Sequence, residues 1–373
     1  MKRILLVLAV VAVGMAAAAQ SIEKDNVTYV LNEEDMTAEV RTSLYQTYTD
    51  VNIPDSVYDE QGRAYAVTSI GDNAFVWATI KGKLTMPNTV TTIGEKMLRS
   101  ASINEIQLSE NINSLGEFFL HSATELKKIH FPASIEIVGG SILAGSSIRE
   151  ISIAPNSKHM SLTEDGGLLW TEEGDGTFYL FHPTDSEPTT FEGVDIIYSY
   201  CFCNNQALKS LVIPGNIKYV LSWAFYYCKN LEKVVMEEGM ETIGYEAFLS
   251  CDKLKEVSLP SSITEILDDA FKETSLEKIV CHSATPPAAS DEAFTYKNYK
   301  TCEVTVPKGS LDAYRNDYTW GLFKNIVEEG TTAVEGIAPS APEKQEPIYD
   351  LRGMRLNEAK KGIYIKGGKK VVK

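Results

Sequence analysis

Five histidines, His121, His130, His159, His182 and His282, are the first residues of this chain that could do acid–base or metal chemistry. They are scattered, and none has the short spacing to a second ligand that a metal site requires. No Gly-x-Ser-x-Gly elbow, phosphate-cradling glycine loop or Cys/His signature occurs. Glu172, Glu173 and Asp175 crowd a glycine-rich stretch, yet they lack the alternating oxygen ligands and distal Glu of a calcium loop. They read as a solvated turn. No catalytic residue, cofactor site or metal site is expected, and the chain is read as a non-enzyme. Two carboxylates gathered in a pocket beside residues 155–194 would revive an enzymatic reading.

Recognition needs different residues. Tyr198, Tyr200, Tyr219, Trp223, Tyr226, Tyr227 and Tyr245 fall in neighbouring slots of one region. Aromatics massed on one flank offer large contact area with a polar handle, which suits a protein or glycan ligand. The competing reading is that they pack between turns. Two short modification motifs, Asp55-Ser56-Val57 and Asn26-Val27-Thr28, are three-residue matches of low specificity.

The element that must position these aromatics is a repeat. An apolar slot recurs at Ile197, Val220, Ile243 and Ile266, each 23 residues after the last, and five residues on stand Phe202, Phe225, Phe248, Phe271 and, one unit later, Phe294. A short unit that cannot bury its own apolar face must stack on copies of itself, so a fixed period in the twenties specifies a solenoid. The earlier block starts at Ile70 with Phe75 and continues through Ile93, Leu115 and Val138. The expected fold is mainly β: a leucine-rich-repeat stack of about nine repeats of 22–23 residues, with a parallel sheet face, β caps at both ends and a β-hairpin insert.

Within Leu254-Lys255-Glu256-Val257-Ser258-Leu259, Leu254, Val257 and Leu259 point inward. The outward columns are Lys209, Glu232, Lys255, Glu277 and Ser210, Lys233, Glu256, Lys278. Parallel strands place equivalent residues about 4.8 Å apart, where alternating signs attract and like signs repel. These columns are read as devices that hold register. A third outward column, Gln107, His130, Ser152, Val212, Val235, Ser258 and Val280, is nearly half apolar and is read as strand-forming surface before partner surface. Cys228 and Cys251 are also 23 apart. A column of buried thiols is the leading reading for them, and a disulfide among the six cysteines is the alternative.

The remaining segments divide as follows. Residues 1–19 carry Lys2 and Arg3, an apolar run and Ala17-Ala18-Ala19, as expected of a signal peptide cleaved before Gln20. Residues 20–64 alternate apolar and polar as strands do and form an N-terminal β cap; residues 65–154 are the first repeat block. The period breaks over residues 155–194, where Asp165-Gly166-Gly167 and Gly174-Asp175-Gly176 predict one or two hairpins projecting from the stack. Residues 195–329 hold the second block and a C-terminal cap, 330–345 a linker, and 346–373 a β tail that is basic while the body is acidic. The net charge of −16 argues against a nucleic-acid partner, because binding phosphates takes a basic surface. The mature chain is expected to be exported, monomeric and free of transmembrane segments.

The module Ile243-Gly244, Ala247-Phe248, Cys251, Leu254, Val257, Leu259-Pro260 resembles the BspA-like leucine-rich repeat family of surface and secreted proteins, found in Bacteroidetes and some other microbes. The resemblance spans roughly residues 65–307 apart from the insert. It implies a right-handed solenoid without catalytic residues, and, since some members are adhesins, a protein or glycan partner, with host extracellular matrix among the candidates. Met97-Leu98 and Ile142-Leu143 stand where the pattern has Ala-Phe, and Glu237 where it has Pro. The tail, with Ile348-Tyr349-Asp350-Leu351-Arg352-Gly353 and Lys361-Gly362-Ile363-Tyr364, is similar to the C-terminal sorting domains of type IX secretion. The function expected is surface or secreted recognition; the alternative is a structural part of the cell envelope with the repeats as spacer.

Overall fold

The computed structural model describes residues 20–330 except Thr189, together with the backbone of four short strands between residues 348 and 372. Each repeat forms one coil with two strands. A two-residue strand carries the apolar slot, as in Tyr219–Val220, Thr242–Ile243 and Glu265–Ile266. A four-residue strand follows, as in Lys233–Met236, Glu256–Leu259 and Lys278–Cys281. Both kinds stack in parallel on their equivalents. The register sets Lys233 against Glu256 and Glu256 against Lys278, and Lys233–Glu256 and Lys255–Glu277 form ion pairs at 2.9 Å. Lys83–Glu105 and Lys128–Glu150 repeat the theme in the first block.

The segment linking the two strands is a flat arc. In each repeat the third residue after the apolar slot, including Lys96, Phe118, Tyr200, Trp223 and Glu246, has φ between 52° and 60°, and the residue four further on, such as Asn204, Tyr227 and Ser250, is left-handed too. Left-handed backbone costs a side-chain-bearing residue roughly 1–2 kcal/mol. Hydrogen bonds between coils offset that cost. Alternate N–H groups donate to the next coil, from Trp223 to Tyr245, Phe225 to Ala247 and Tyr227 to Leu249 at 2.8–3.0 Å. Coils approach so closely here that a Cβ on Gly244 would lie 2.7 Å from the Leu221 carbonyl carbon, so the glycine of the Ile-Gly pair is a packing requirement.

Inside, Phe202, Phe225, Phe248, Phe271 and Phe294 form one column with centroids 4.9–5.4 Å apart and rings within 6° of parallel. Cys228 and Cys251 sit beside it as free thiols that donate to the carbonyls of Phe202 and Phe225 at 3.1 and 3.2 Å. All six cysteines are buried and unpaired, so the disulfide alternative is not realised. Burial raises the thiols of Cys201, Cys203, Cys228, Cys281 and Cys302 above their ordinary range.

The stack has about eleven turns, more than the nine counted from the repeat pattern. The difference has a structural source at two points. Thr37–Arg41 of the N-terminal meander pairs in parallel with Ala64–Ile70, and Gly176–Phe181 of the insert pairs in parallel with Ile196–Ile197. The insert therefore does not project. Its antiparallel strands Met160–Leu162, Leu168–Glu172 and Gly176–Phe181 lie within the stack as a partition. Leu168, Trp170 and Phe181 belong to the core of the first block, whereas Leu169 and Tyr179 belong to the core of the second. A run such as Phe178-Tyr179-Leu180-Phe181 has apolar side chains for both faces, and burial on both faces is what it obtains.

At the far end Trp320 and Phe323 close on Phe294 at 5.7 and 5.1 Å, and Trp320 Nε1 donates to the Pro287 carbonyl at 2.9 Å. Residues 331–373 are a separate unit. Its strands, in the spatial order Arg355–Leu356, Ile348–Tyr349, Ile363–Lys366, Lys369–Val372, are antiparallel throughout. Residues 1–19, expected to be a signal peptide, and residues 331–345, expected to be a linker, lie outside the described residues.

Candidate recognition site

The outward side chains of the left-handed column build an aromatic flank. Tyr200 stacks on Trp223, with centroids 5.2 Å apart and planes 10° from parallel, and Trp223 meets Tyr245 edge-on at 5.3 Å. Trp223 Nε1 donates to the Glu246 carboxylate at 2.6 Å, which locks the indole. All three rings are half-buried. Tyr226 and the exposed Tyr227 lie 5.8 Å apart, and the Lys229 ammonium caps the Tyr227 ring at 4.1 Å. Burial pushes the Tyr200 hydroxyl up to about 12, so it stays a neutral donor at physiological pH.

Two of the seven aromatics expected from sequence do not join this group. Tyr198 turns to Phe178 at 5.9 Å and packs against the first core. Tyr219 stands in a two-residue strand and donates to Glu241 at 3.3 Å.

The structure also adds residues that sequence reasoning passed over. Phe118 and His121 of the first block meet Tyr200 edge-on at 6.1 and 5.6 Å, across the seam where the insert interrupts the repeats. Lys96 lies 5.9 Å over Phe118. With Arg99 and Tyr226 these residues line a notch of about 250 Å³. His121 Nδ1 is 3.1 Å from Ser122 Oγ, and burial, helped by the Arg99 charge, lowers the imidazole to about 4, so it is neutral at pH 7. A signal for this set was present: Lys96, Phe118, Tyr200 and Trp223 all stand three residues after the repeat's apolar slot.

Among the described residues no group of His, Cys, Asp and Glu is arranged to hold a metal ion, and no helix is long and apolar enough to cross a membrane. His182, with Asp165 3.8 Å from its Nε2, is fully buried in the partition and has its basicity lowered by that burial. It therefore presents no reactive group at the surface.

No curated protein matches the chain. Among solved structures, the pneumococcal vaccine antigen PcpA is 15% identical with a TM-score of 0.55, aligning 84% of this chain with 99% of that one. A leucine-rich cell surface protein of Faecalibacterium prausnitzii is 18% identical over 84% of this chain and 96% of its own, with a TM-score of 0.40. A leucine-rich repeat protein of Bacteroides capillosus is 30% identical but aligns with only 36% of this chain, against 98% of its own, with a TM-score of 0.31. The model of the BspA type leucine rich repeat region matches in six copies over residues 61–162 and 176–300. That span is more than half of the chain, and it agrees with the coil geometry, so this protein belongs to the BspA-type leucine-rich repeat family.

Proposed function

We propose that this protein is an exported recognition scaffold that binds a protein or glycan through its repeat stack and works without catalysis. One observation carries the reading: the half-buried ladder of Tyr200, Trp223 and Tyr245, continued by Phe118, sits on the outside of the coils, where the hydrophobic core does not require it. Rigid aromatics with few rotatable bonds bind at low entropic cost, which is why they dominate contact surfaces. Family membership supports the same reading, since leucine-rich repeats are interaction modules and the pneumococcal and Faecalibacterium proteins are described as an antigen and a cell surface protein. Residues 1–19 would direct export, residues 346–373 would sort the chain to the surface, and the body would act as a monomer. Binding of the full chain to a panel of extracellular-matrix proteins and to a glycan array tests this. Silence on both panels would refute it.

A second reading is a spacer in the cell envelope, favoured by the ion-pair columns, which stiffen the stack whatever it binds. Removing residues 346–373 separates the two. Lost display with intact ligand binding supports recognition, whereas a chain whose only measurable property is tail-dependent display is a spacer.

A further inference from the structure

We infer that the notch at the seam between the two repeat blocks binds a carboxylate-bearing sugar residue, a uronate or sialate unit of a glycan. This rests on the recognition reading above and names its site and ligand class. The chain is strongly acidic, with a net charge of −16, yet the notch wall presents Arg99 and Lys96. Arg41, Arg63 and Arg149 are each in an ion pair, whereas exposed Arg99, like Arg315 of the C-terminal cap, makes none among the described residues; Arg99 is the one of these two that lines the notch. Lys96 is only loosely held, 3.5 Å from Glu95. A guanidinium without a partner is matched in shape and charge to a carboxylate, which it takes by two parallel hydrogen bonds.

The walls specify the rest of the ligand. Phe118 and Tyr200 meet edge-on at 76°, and both line the notch together with Tyr226. Aromatic faces pack on the C–H face of a pyranose while hydroxyl and imidazole groups reach its polar edge. Neutral His121 adds no repulsion to ligand hydroxyls and no competing charge to Arg99. A space of about 250 Å³ is below the range of drug-sized pockets and suits a single ring rather than a folded peptide segment. The larger depression near Tyr296, of about 460 Å³, carries Asp269, Asp291 and Glu292 against one lysine and would repel such a ligand.

Isothermal titration of the full chain with a glucuronate-terminated tetrasaccharide, its carboxyl-reduced neutral twin and a Glu-rich peptide tests the assignment. The acidic saccharide should bind about tenfold more tightly than its twin, with an affinity that falls as salt rises. Arg99→Gln should erase the difference between the twins. Tyr200→Asn, which accepts the left-handed backbone, should weaken both saccharides. Equal affinity for the twins, no effect of Arg99→Gln, or a peptide that outcompetes the saccharide would each overturn the inference. If the acidic saccharide fails while the full chain still binds a matrix protein or another glycan, the notch assignment falls and the recognition function stands.

Discussion

Truncating Phe248 to alanine measures how far one coil depends on its neighbours. Phe248 is fully buried and its ring lies between Phe225 at 4.9 Å and Phe271 at 5.3 Å, nearly parallel to both. A buried Phe→Ala change costs about 3–5 kcal/mol, and aromatic stacking adds roughly 0.5–1.5 kcal/mol per pair beyond area, so the upper end of the first range applies. The site is poorly able to collapse. Its backbone is held to the coils on both sides, with Phe225 donating to Ala247 at 2.8 Å and Phe248 to Ala270 at 2.9 Å. In a stack whose coils contact only their neighbours, the loss should stay local at first. Urea titration followed by hydrogen exchange and mass spectrometry is therefore expected to show residues 195–329 losing protection at lower urea than in the parent. Residues 65–154 should hold close to their original midpoint, because their core is a distinct cluster across the partition. Leu98→Ala, also fully buried, should reverse the pattern. A cost below about 1.5 kcal/mol, or a uniform shift across both blocks, would refute the column as a local determinant of stability.

Three other outcomes follow from the same geometry. Lys233→Glu sets like charges against Glu256 in register and should cost on the order of 0.5 kcal/mol at low ionic strength, a difference that high salt removes if the column acts by charge. His121 resists protonation until about pH 4 in the fold and accepts a proton near 6.5 when unfolded, so stability should fall as pH drops from 6.5. Between pH 6.5 and 5 that is a loss of about 1.5 kcal/mol, which His121→Phe should remove from the urea midpoints. The six cysteines, buried and unpaired, should resist a thiol reagent at pH 8 in the native state and react fully in urea; rapid native labelling would contradict their burial.

The fold was legible in the order of residue types because a solenoid writes its contacts as a period. Ile197, Val220, Ile243 and Ile266 must meet one another once each coil is closed, and parallel register follows, which is why the Lys233, Glu256, Lys278 column is legible from residue spacing alone. The left-handed residues were not legible. Lys96, Phe118 and Trp223 are ordinary residues in strained backbone, and the hydrogen bonds that hold them there belong to the next coil.

Where the period stops, the chain ceases to announce its contacts. Residues 155–194 have the turn glycines of a hairpin, and those glycines are compatible with a projecting arm or with an internal wall. The choice fell to packing: Leu168 and Trp170 face one core and Leu169 the other, so projection would have left both sets in water. The candidate site divides in the same way. The sequence alone supplied Tyr200, Trp223, Tyr226 and Tyr245, since equivalent slots become neighbours in a stack. Only the tertiary structure brought Phe118, His121 and Arg99 to them, because two residues some eighty positions apart become adjacent when the coils on either side of the partition close over it.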